Sequence, residues 1–288
     1  NCFKNLFVRK NMIKKIVMPA AGLGTRLLPI TKEIPKEMMP LFLQDKEGEI
    51  SVKPLIQIIY EKFFHFGVQE YCLIVGRQKR IIEDHFTSDR EFLKNFRKNS
   101  KYRIDLEKFY CMLNNTKLFW INQQNPNGFG DAVRYSESFV GNDDFLVSAG
   151  DTLLPKGDKI IKKLMNAKLK GKNDAILLLK EVPNPRRFGV AVINQTKNKT
   201  IVTNVEEKPK NPKSNFAIVA LYRFRPSIFK ALKEIRNDQK ELQLTDAIQK
   251  LIDFGGNVSA ILLDKNDPVI DIGTADSYLE TIKKFKNA

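Results

Sequence analysis

Between Ile16 and Leu41 the chain changes character twice, and those changes limit what it can fold into. A short apolar run, Ile16-Val17-Met18, reads as a buried strand. The small residues Ala20, Ala21, Gly22 and Gly24 follow it and let a turn of bare backbone approach a ligand closely. Thr25 and Arg26 then supply a hydroxyl and a guanidinium, and Lys32 and Lys36 supply two ammonium groups. One connection therefore offers amide donors and positive charge together, which is what binding a triphosphate requires.

The spacing excludes two commoner phosphate cradles. A dinucleotide fingerprint needs a third glycine where Leu27 stands, and a P-loop needs Gly-Lys-Ser/Thr, which is absent. A glycine pair after a strand marks, by itself, no more than a turn. The whole run, from Gly22 and Gly24-Thr25-Arg26 through Lys32 to Pro35-Lys36-Glu37-Met38-Met39-Pro40-Leu41, resembles the signature loop of the sugar-1-phosphate nucleotidyltransferases. Its second part is similar to the UTP–glucose-1-phosphate uridylyltransferase branch of bacteria and archaea, the UDP-glucose pyrophosphorylases. The resemblance implies an α/β fold: a single Rossmann-like nucleotidyltransferase domain with a mixed, mainly parallel central sheet flanked by helices.

Bulk properties agree with such a domain. A chain of 288 residues is ample for one large domain or two small ones. No apolar run approaches the roughly 18 residues of a membrane span, so no membrane partner is expected. Cys2, Cys72 and Cys111 are scattered without metal-ligand spacing, which points to a reducing compartment, the cytoplasm. A net charge of +16 raises the question of nucleic acid. The lysines are spread along the chain among acidic residues, without a recognition motif, so solvated lysine faces and a polyanion-handling pocket are expected instead. Residues 1–11 lack the apolar core and cleavage site of a secretion signal and read as an N-terminal extension, with the nucleotidyltransferase domain from 12 to 288.

From about 15 to 152 strand and helix patterns alternate, as in a parallel sheet with right-handed crossovers, and this is the expected nucleotide-binding half. Pro54 to Phe64 has apolar residues at helical spacing before a glycine stop at Gly67, and Tyr71-Cys72-Leu73-Ile74-Val75 reads as a buried strand. A charged helical insertion is expected over 88–115, a feature that resembles the uridylyltransferase branch. His85, with no ligand-spaced partner, is given no chemical part. From about 153 to 288, strands joined by short polar turns suggest an extension of the same sheet, the expected sugar-binding half.

The candidate site residues are dispersed along both halves. Phe145-Leu146-Val147-Ser148-Ala149-Gly150-Asp151-Thr152 reads as an apolar strand ending in Gly-Asp, which puts Asp151 at the edge where open α/β sheets keep their ligands, and it suits a magnesium ion that takes few carboxylates. Gln123 carries an amide able to donate and accept in one plane, as reading a pyrimidine edge requires, although from the residues alone a loop amide facing water is the better reading. The resemblance assigns Gln123 to the base, Gly128 to the nucleoside, and Ala20, Ala21, Gly22, Gly24, Thr25 and Gly150 to the nucleotide. In Val205-Glu206-Glu207-Lys208-Pro209-Lys210, which could also be a charged surface turn, it assigns Glu207 to hexose hydroxyls and Lys208 to the sugar phosphate. Gly189 would face the sugar with its backbone. Thr245, in Glu241-Leu242-Gln243-Leu244-Thr245-Asp246-Ala247-Ile248, reads as a helix N-cap. Asp271 ends another apolar run, and the resemblance implies that it shares one Mg²⁺ with Asp151.

The resemblance therefore implies UTP and glucose 1-phosphate as substrates and UDP-glucose and pyrophosphate as products, with Arg26, Lys36, Asp151, Lys208 and Asp271 as the catalytic set. A homodimer or homotetramer is the expected assembly. Asp271-Ile272-Gly273-Thr274 is closer to thymidylyltransferase wording, which leaves a dTTP-using or dual enzyme as the alternative. A sugar-nucleotide sensor is the non-enzymatic one, and it would be expected to have lost one of Arg26, Lys36, Asp151 or Asp271.

Overall fold

Alternation along the strands decides where the core lies. In β1 (Lys15–Pro19), Ile16 and Met18 enter one apolar cluster while Val17 enters another on the opposite face of the sheet. The coordinates are a computed structural model that describes residues 13–44, 48–167, 169, 173–196, 199–235 and 241–285. The expected extension at 1–11 lies outside the described residues.

After β1 come the hairpin β2 (Pro40–Gln44) and β3 (Ile50–Pro54), α1 (Leu55–His65), β4 (Glu70–Val75) and α2 (Arg80–His85). Next are α3 (Arg90–Leu93), α4 (Lys101–Asn114), β5 (Lys117–Asn122), α5 (Phe129–Arg134), α6 (Glu137–Val140) and β6 (Phe145–Ser148). The second part holds β7 (Thr152–Leu153), α7 (Asp158–Asn166), β8 (Asn173–Glu181), β9 (Gly189–Gln195), β10 (Thr200–Glu207) and β11 (Phe216–Phe224). It ends with α8 (Ser227–Glu234), α9 (Leu244–Asp253), β12 (Asn257–Leu262), β13 (Ile270–Asp271) and α10 (Ala275–Phe285).

Among the described residues one 9-stranded sheet runs in the order β5-β4-β1-β6-β11-β8-β12-β10-β9. The strands from β5 to β6 are parallel. Beyond β6 the neighbours are antiparallel, except β12 against β8. The result is a mixed α/β sheet with helices on both faces. Ile56 of α1, Phe109 of α4 and Leu164 of α7 pack with Ile16 and Met18, while Ala132 of α5, Phe229 of α8 and Ile248 of α9 pack with Val17. Fully burying a side chain such as Ile56 or Phe229 contributes about 1.5–3 kcal/mol, so both faces are firmly fixed to the sheet.

The stretch 88–115, expected to be helical, holds α3 and α4. Asp89 and Ser100 cap them by accepting from Phe92 N and Arg103 N, and Phe109, Met112 and Leu113 fasten α4 to the sheet. His85 packs its ring against Phe109 and lies 2.9 Å from Gln57 Oε1; burial lowers its pKa, which suits a packing residue. For the site, the decisive feature is that β1 and β6 are adjacent and parallel, so the loops leaving their C-terminal ends emerge side by side.

Candidate active site

The loop after β1 is held from below. Ala20 N–H donates to Ile74 O at 2.8 Å and so continues the β1–β4 ladder rather than facing a ligand. Among the described residues, the N–H groups of Ala21, Gly22, Leu23 and Gly24 have no acceptor. Gly24 sits at φ 66°, and a Cβ there would lie 3.0 Å from Thr31 Cγ2, so the turn needs glycine for its dihedral and for space. Thr31 Oγ1 donates to Gly24 O at 2.8 Å and fixes the loop's exit. Thr25 and Arg26 follow on an exposed 3-10 turn. Lys32, counted with the cradle from its spacing, stays on the surface 3.6 Å from Glu33 and does not join the site, because its turn carries it outward.

Lys36 does join it. Its Nζ donates to Asp151 Oδ2 and passes beside Gly22, where a Cβ would be 3.8 Å from the ammonium. Burial by itself would lower the Lys36 pKa, but Asp151, Glu37 and Asp271 together outweigh it and hold the ammonium above its ordinary value. Asp151 leaves β6 through Gly150, whose N–H donates to Pro19 O at 3.1 Å. Asp271 arrives from β13, which pairs with β7 so that Asp271 stands opposite Thr152, and Ile272 N–H donates to Asp151 O at 3.2 Å. Two acids remote in sequence thus become neighbours. Partial burial first, and the charge of Asp151 second, push the Asp271 carboxyl up to about 6 against the pull of Lys36, Arg26 and Arg187. Arg26 reaches the same place: a Cβ on Gly273 would be 3.1 Å from Arg26 Nη2 and 3.6 Å from Asp271 Oδ1.

Under this group lies a pair that the motif reading passed over. Glu37, 1% exposed, accepts from Lys79 Nζ at 2.9 Å, and its Cγ would be 3.0 Å from a Cβ on Gly150. Burial raises the Glu37 pKa, with Lys79 and Lys36 opposing. The sequence signal was the pattern itself, a glutamate in the interior of the signature run.

The loop that carries Gln123 and Gly128 is tied down as tightly. Gln123 is 3% exposed, and its Nε2 donates to Asp131 Oδ2 at 2.7 Å and to Gly128 O at 3.4 Å. Asp131 also accepts from Arg134 Nη2 at 2.5 Å. A carboxylate only accepts, so Asp131 fixes which end of the Gln123 amide is turned toward it. Gly128, at φ 106°, lies against the backbone of Leu242: a Cβ would be 2.5 Å from Leu242 O.

On the far side, β9 and β10 bring Gly189 opposite Glu207. Glu207 turns inward while Glu206 is exposed, and Lys208 Nζ lies 3.1 Å from Glu207 Oε1. Thr245 is not the expected N-cap. α9 begins two residues earlier than such a cap would place it, with Gln243 at the N-cap position, and the Thr245 hydroxyl donates instead to Glu207 Oε2 at 2.8 Å. The structure therefore forms three neighbourhoods on one sheet: a charged group of Arg26, Lys36, Asp151 and Asp271, an amide loop at Gln123, and a carboxylate–lysine pair at Glu207 and Lys208. Among the described residues no group of three or more His, Cys, Asp or Glu gathers as a metal site, and no helix is long and apolar enough to cross a membrane.

A mixed α/β sheet with basic side chains and open backbone amides at the ends of its parallel strands has the arrangement of a nucleotide-handling α/β protein. The model of the nucleotidyl transferase family matches residues 14–288, and the chain belongs to that family. It is 36% identical to the UTP–glucose-1-phosphate uridylyltransferase of Bacillus subtilis (strain 168) over 279 residues, 95% of this chain and 91% of that protein. It is likewise 36% identical to the uridylyltransferase of Mycoplasma genitalium over 246 residues, 83% of this chain and 81% of that protein. A solved UDP-glucose pyrophosphorylase complexed with UDP-glucose superposes with a TM-score of 0.80 at 27% identity, covering 96% of this chain and 99% of that one. A UTP-bound UGPase from Acinetobacter baumannii gives a TM-score of 0.76 at 27% identity, covering 95% and 93%.

Proposed function

We propose that this protein transfers the uridylyl group of UTP to glucose 1-phosphate, forming UDP-glucose and releasing pyrophosphate. The observation that carries the proposal is the meeting of Asp151 and Asp271 beside Lys36 and Arg26, next to a loop with unfilled amide donors. The uridylyltransferase relatives supply the reaction class.

The sugar phosphate oxygen is already ionised and needs no general base. The protein has to align two polyanions and neutralise the charge that builds at the α-phosphorus as pyrophosphate departs in line. The amides of Ala21 to Gly24 and the side chains of Thr25, Arg26 and Lys36 hold the triphosphate, with Ala20 and Gly150 shaping the floor beneath it. Gln123 reads the uracil edge, and Gly128 lets the nucleoside lie close to the backbone. Lys208 holds the phosphate of glucose 1-phosphate, while Glu207 and the Gly189 backbone meet the hexose.

Asp151 and Asp271 are hard oxygen donors brought together where β13 pairs with β7, and the charge of Asp151, which adds to burial in raising the Asp271 pKa, favours a cation between them. They would hold Mg²⁺, which when bound supplies charge neutralisation at the reacting phosphates. Asp271-Ile272-Gly273-Thr274 has a local explanation that does not involve base choice. Ser277 N–H donates to Thr274 Oγ1 and Thr274 N–H donates to Ser277 Oγ, which caps α10. UTP therefore remains the preferred nucleotide over dTTP. Cys72 and Cys111 carry no disulfide among the described residues, which fits a cytoplasmic enzyme, and assembly as a homodimer or homotetramer belongs to the same proposal.

A pyrophosphate-release screen of UTP, dTTP, ATP and GTP against several sugar 1-phosphates tests the function. Release that depends on UTP and glucose 1-phosphate together supports it, and release with another pair in preference overturns the substrate assignment.

A further inference from the structure

The segment from Leu242 to Thr245 and the helix it opens touch both substrate-facing halves, yet no step of the proposed reaction uses them. Leu242 N–H donates to Asn127 O at 2.7 Å and Leu242 O accepts from Gly130 N–H at 2.8 Å, so this segment clamps the loop that carries Gly128. Three residues on, the Thr245 hydroxyl donates to Glu207 Oε2 at 2.8 Å. Thr245 and Gln249 share a face of α9 one turn apart, and both bond β10. Gln249 Oε1 accepts from Val205 N–H at 2.8 Å and from Asn204 Nδ2 at 2.9 Å, fixing the body of the strand. Thr245 instead reaches past the backbone to a side chain.

Gly189 shows how closely this contact is built. A Cβ there would lie 2.9 Å from Thr245 Oγ1 and 3.1 Å from Glu207 Oε2, so a glycine is needed for the hydroxyl and the carboxylate to meet where they do. A threonine early in a helix ordinarily bonds its own helix backbone or caps it. Here the hydroxyl is committed to a carboxylate on another element, and Thr245 is 6% exposed, which shields that bond from competing water. The other Glu207 oxygen, Oε1, faces Lys208 Nζ at 3.1 Å.

We infer that Thr245 is a positioning residue: its hydroxyl holds Glu207 Oε2 so that Oε1 is presented to the hexose hydroxyls beside the lysine that takes the sugar phosphate. The inference rests on Glu207 binding the hexose, as proposed above. Loss of the hydroxyl should act on sugar binding and leave the nucleotide side alone, because the Leu242 clamp is made by backbone atoms that Thr245→Val does not alter.

Steady-state kinetics on the full chain test it with Thr245→Val, Thr245→Ser, Gln249→Ala, Glu207→Ala and the double variant Thr245→Val/Glu207→Ala. Thr245→Val should raise KM for glucose 1-phosphate about tenfold, and Thr245→Ser should restore it. KM for UTP should change less than about twofold in both, and Thr245→Val should add little in the Glu207→Ala background, since the two residues act as one unit. Gln249→Ala, which loosens the strand alone, should lower Tm without that selective rise. A rise in both KM values with Thr245→Val, or an effect undiminished without Glu207, overturns the inference. An unchanged glucose 1-phosphate KM in Glu207→Ala overturns the assignment of Glu207 to the sugar, and the inference with it. A raised KM in Glu207→Ala with a normal KM in Thr245→Val overturns the inference alone.

Discussion

Asp151 and Asp271 become neighbours because a two-stranded ladder, β7 with β13, registers Asp271 against Thr152 and lets Ile272 N–H bond Asp151 O. The ladder is short, but it sets the acid in the turn between β6 and β7 beside the acid that ends β13, with Lys36 already paired to the first.

Asp151→Asn and Asp271→Asn keep the shape of each side chain and remove its charge. Each should lower pyrophosphate release from UTP and glucose 1-phosphate by about a hundredfold or more, since charge at the reacting phosphates is what the site must balance. Tm should change little in Asp271→Asn and fall modestly in Asp151→Asn, because neither residue contributes to the apolar core but Asp151 is the partner of Lys36. Near-normal turnover of either variant at saturating Mg²⁺ would remove that residue from the reaction.

Gly128→Ala places a methyl group 2.5 Å from Leu242 O at a φ of 106°, a double conflict of space and dihedral. Thermal unfolding should show a loss of roughly 2–4 kcal/mol, with a rise in KM for UTP as the loop carrying Gln123 shifts. An unchanged Tm would mean that the loop and the Leu242 segment separate easily, contrary to the hydrogen bonds that join them.

Lys79→Met leaves Glu37 buried without its ammonium partner. Breaking one side of a buried pair costs about 3–5 kcal/mol. Glu37→Gln/Lys79→Met should recover much of that loss in denaturant unfolding, because an amide tolerates the site better than an unpaired carboxylate. A double variant no more stable than Lys79→Met would show that the pair is not coupled in stability.

The parts of this site that could be read from the chain are those in which chemistry and local geometry coincide. Gly24 and Thr31 belong to one turn, and Asp151 follows β6 by three residues, so their placement is visible over a few residues. Lys32 and Lys36 looked equivalent in sequence, yet one 3-10 turn sends the first to solvent and the next directs the second to Asp151. Thr245 fits the composition of an N-cap, and its actual partner, Glu207, is brought to it by the packing of α9 on β10, which no local pattern encodes. Lys79 and Glu37 escaped for the same reason: charged residues are read as exposed until the sheet places them under the loop that follows β1. The position of β11 between β6 and β8, which joins the two halves into one sheet, likewise depends on long-range pairing. The β2–β3 hairpin is bounded by residues too mixed in polarity to stand out as strands.

Mn²⁺ is a close stand-in for Mg²⁺ at oxygen sites and scatters anomalously, so a crystal of the wild-type protein grown with UDP-glucose and Mn²⁺ bears directly on the pairing of the two acids. The expected result is one strong anomalous peak about 2.0–2.6 Å from carboxylate oxygens of both Asp151 and Asp271, and beside the nucleotide phosphates. A peak bound by only one of these acids, or by neither, with the nucleotide in place would contradict the shared cation.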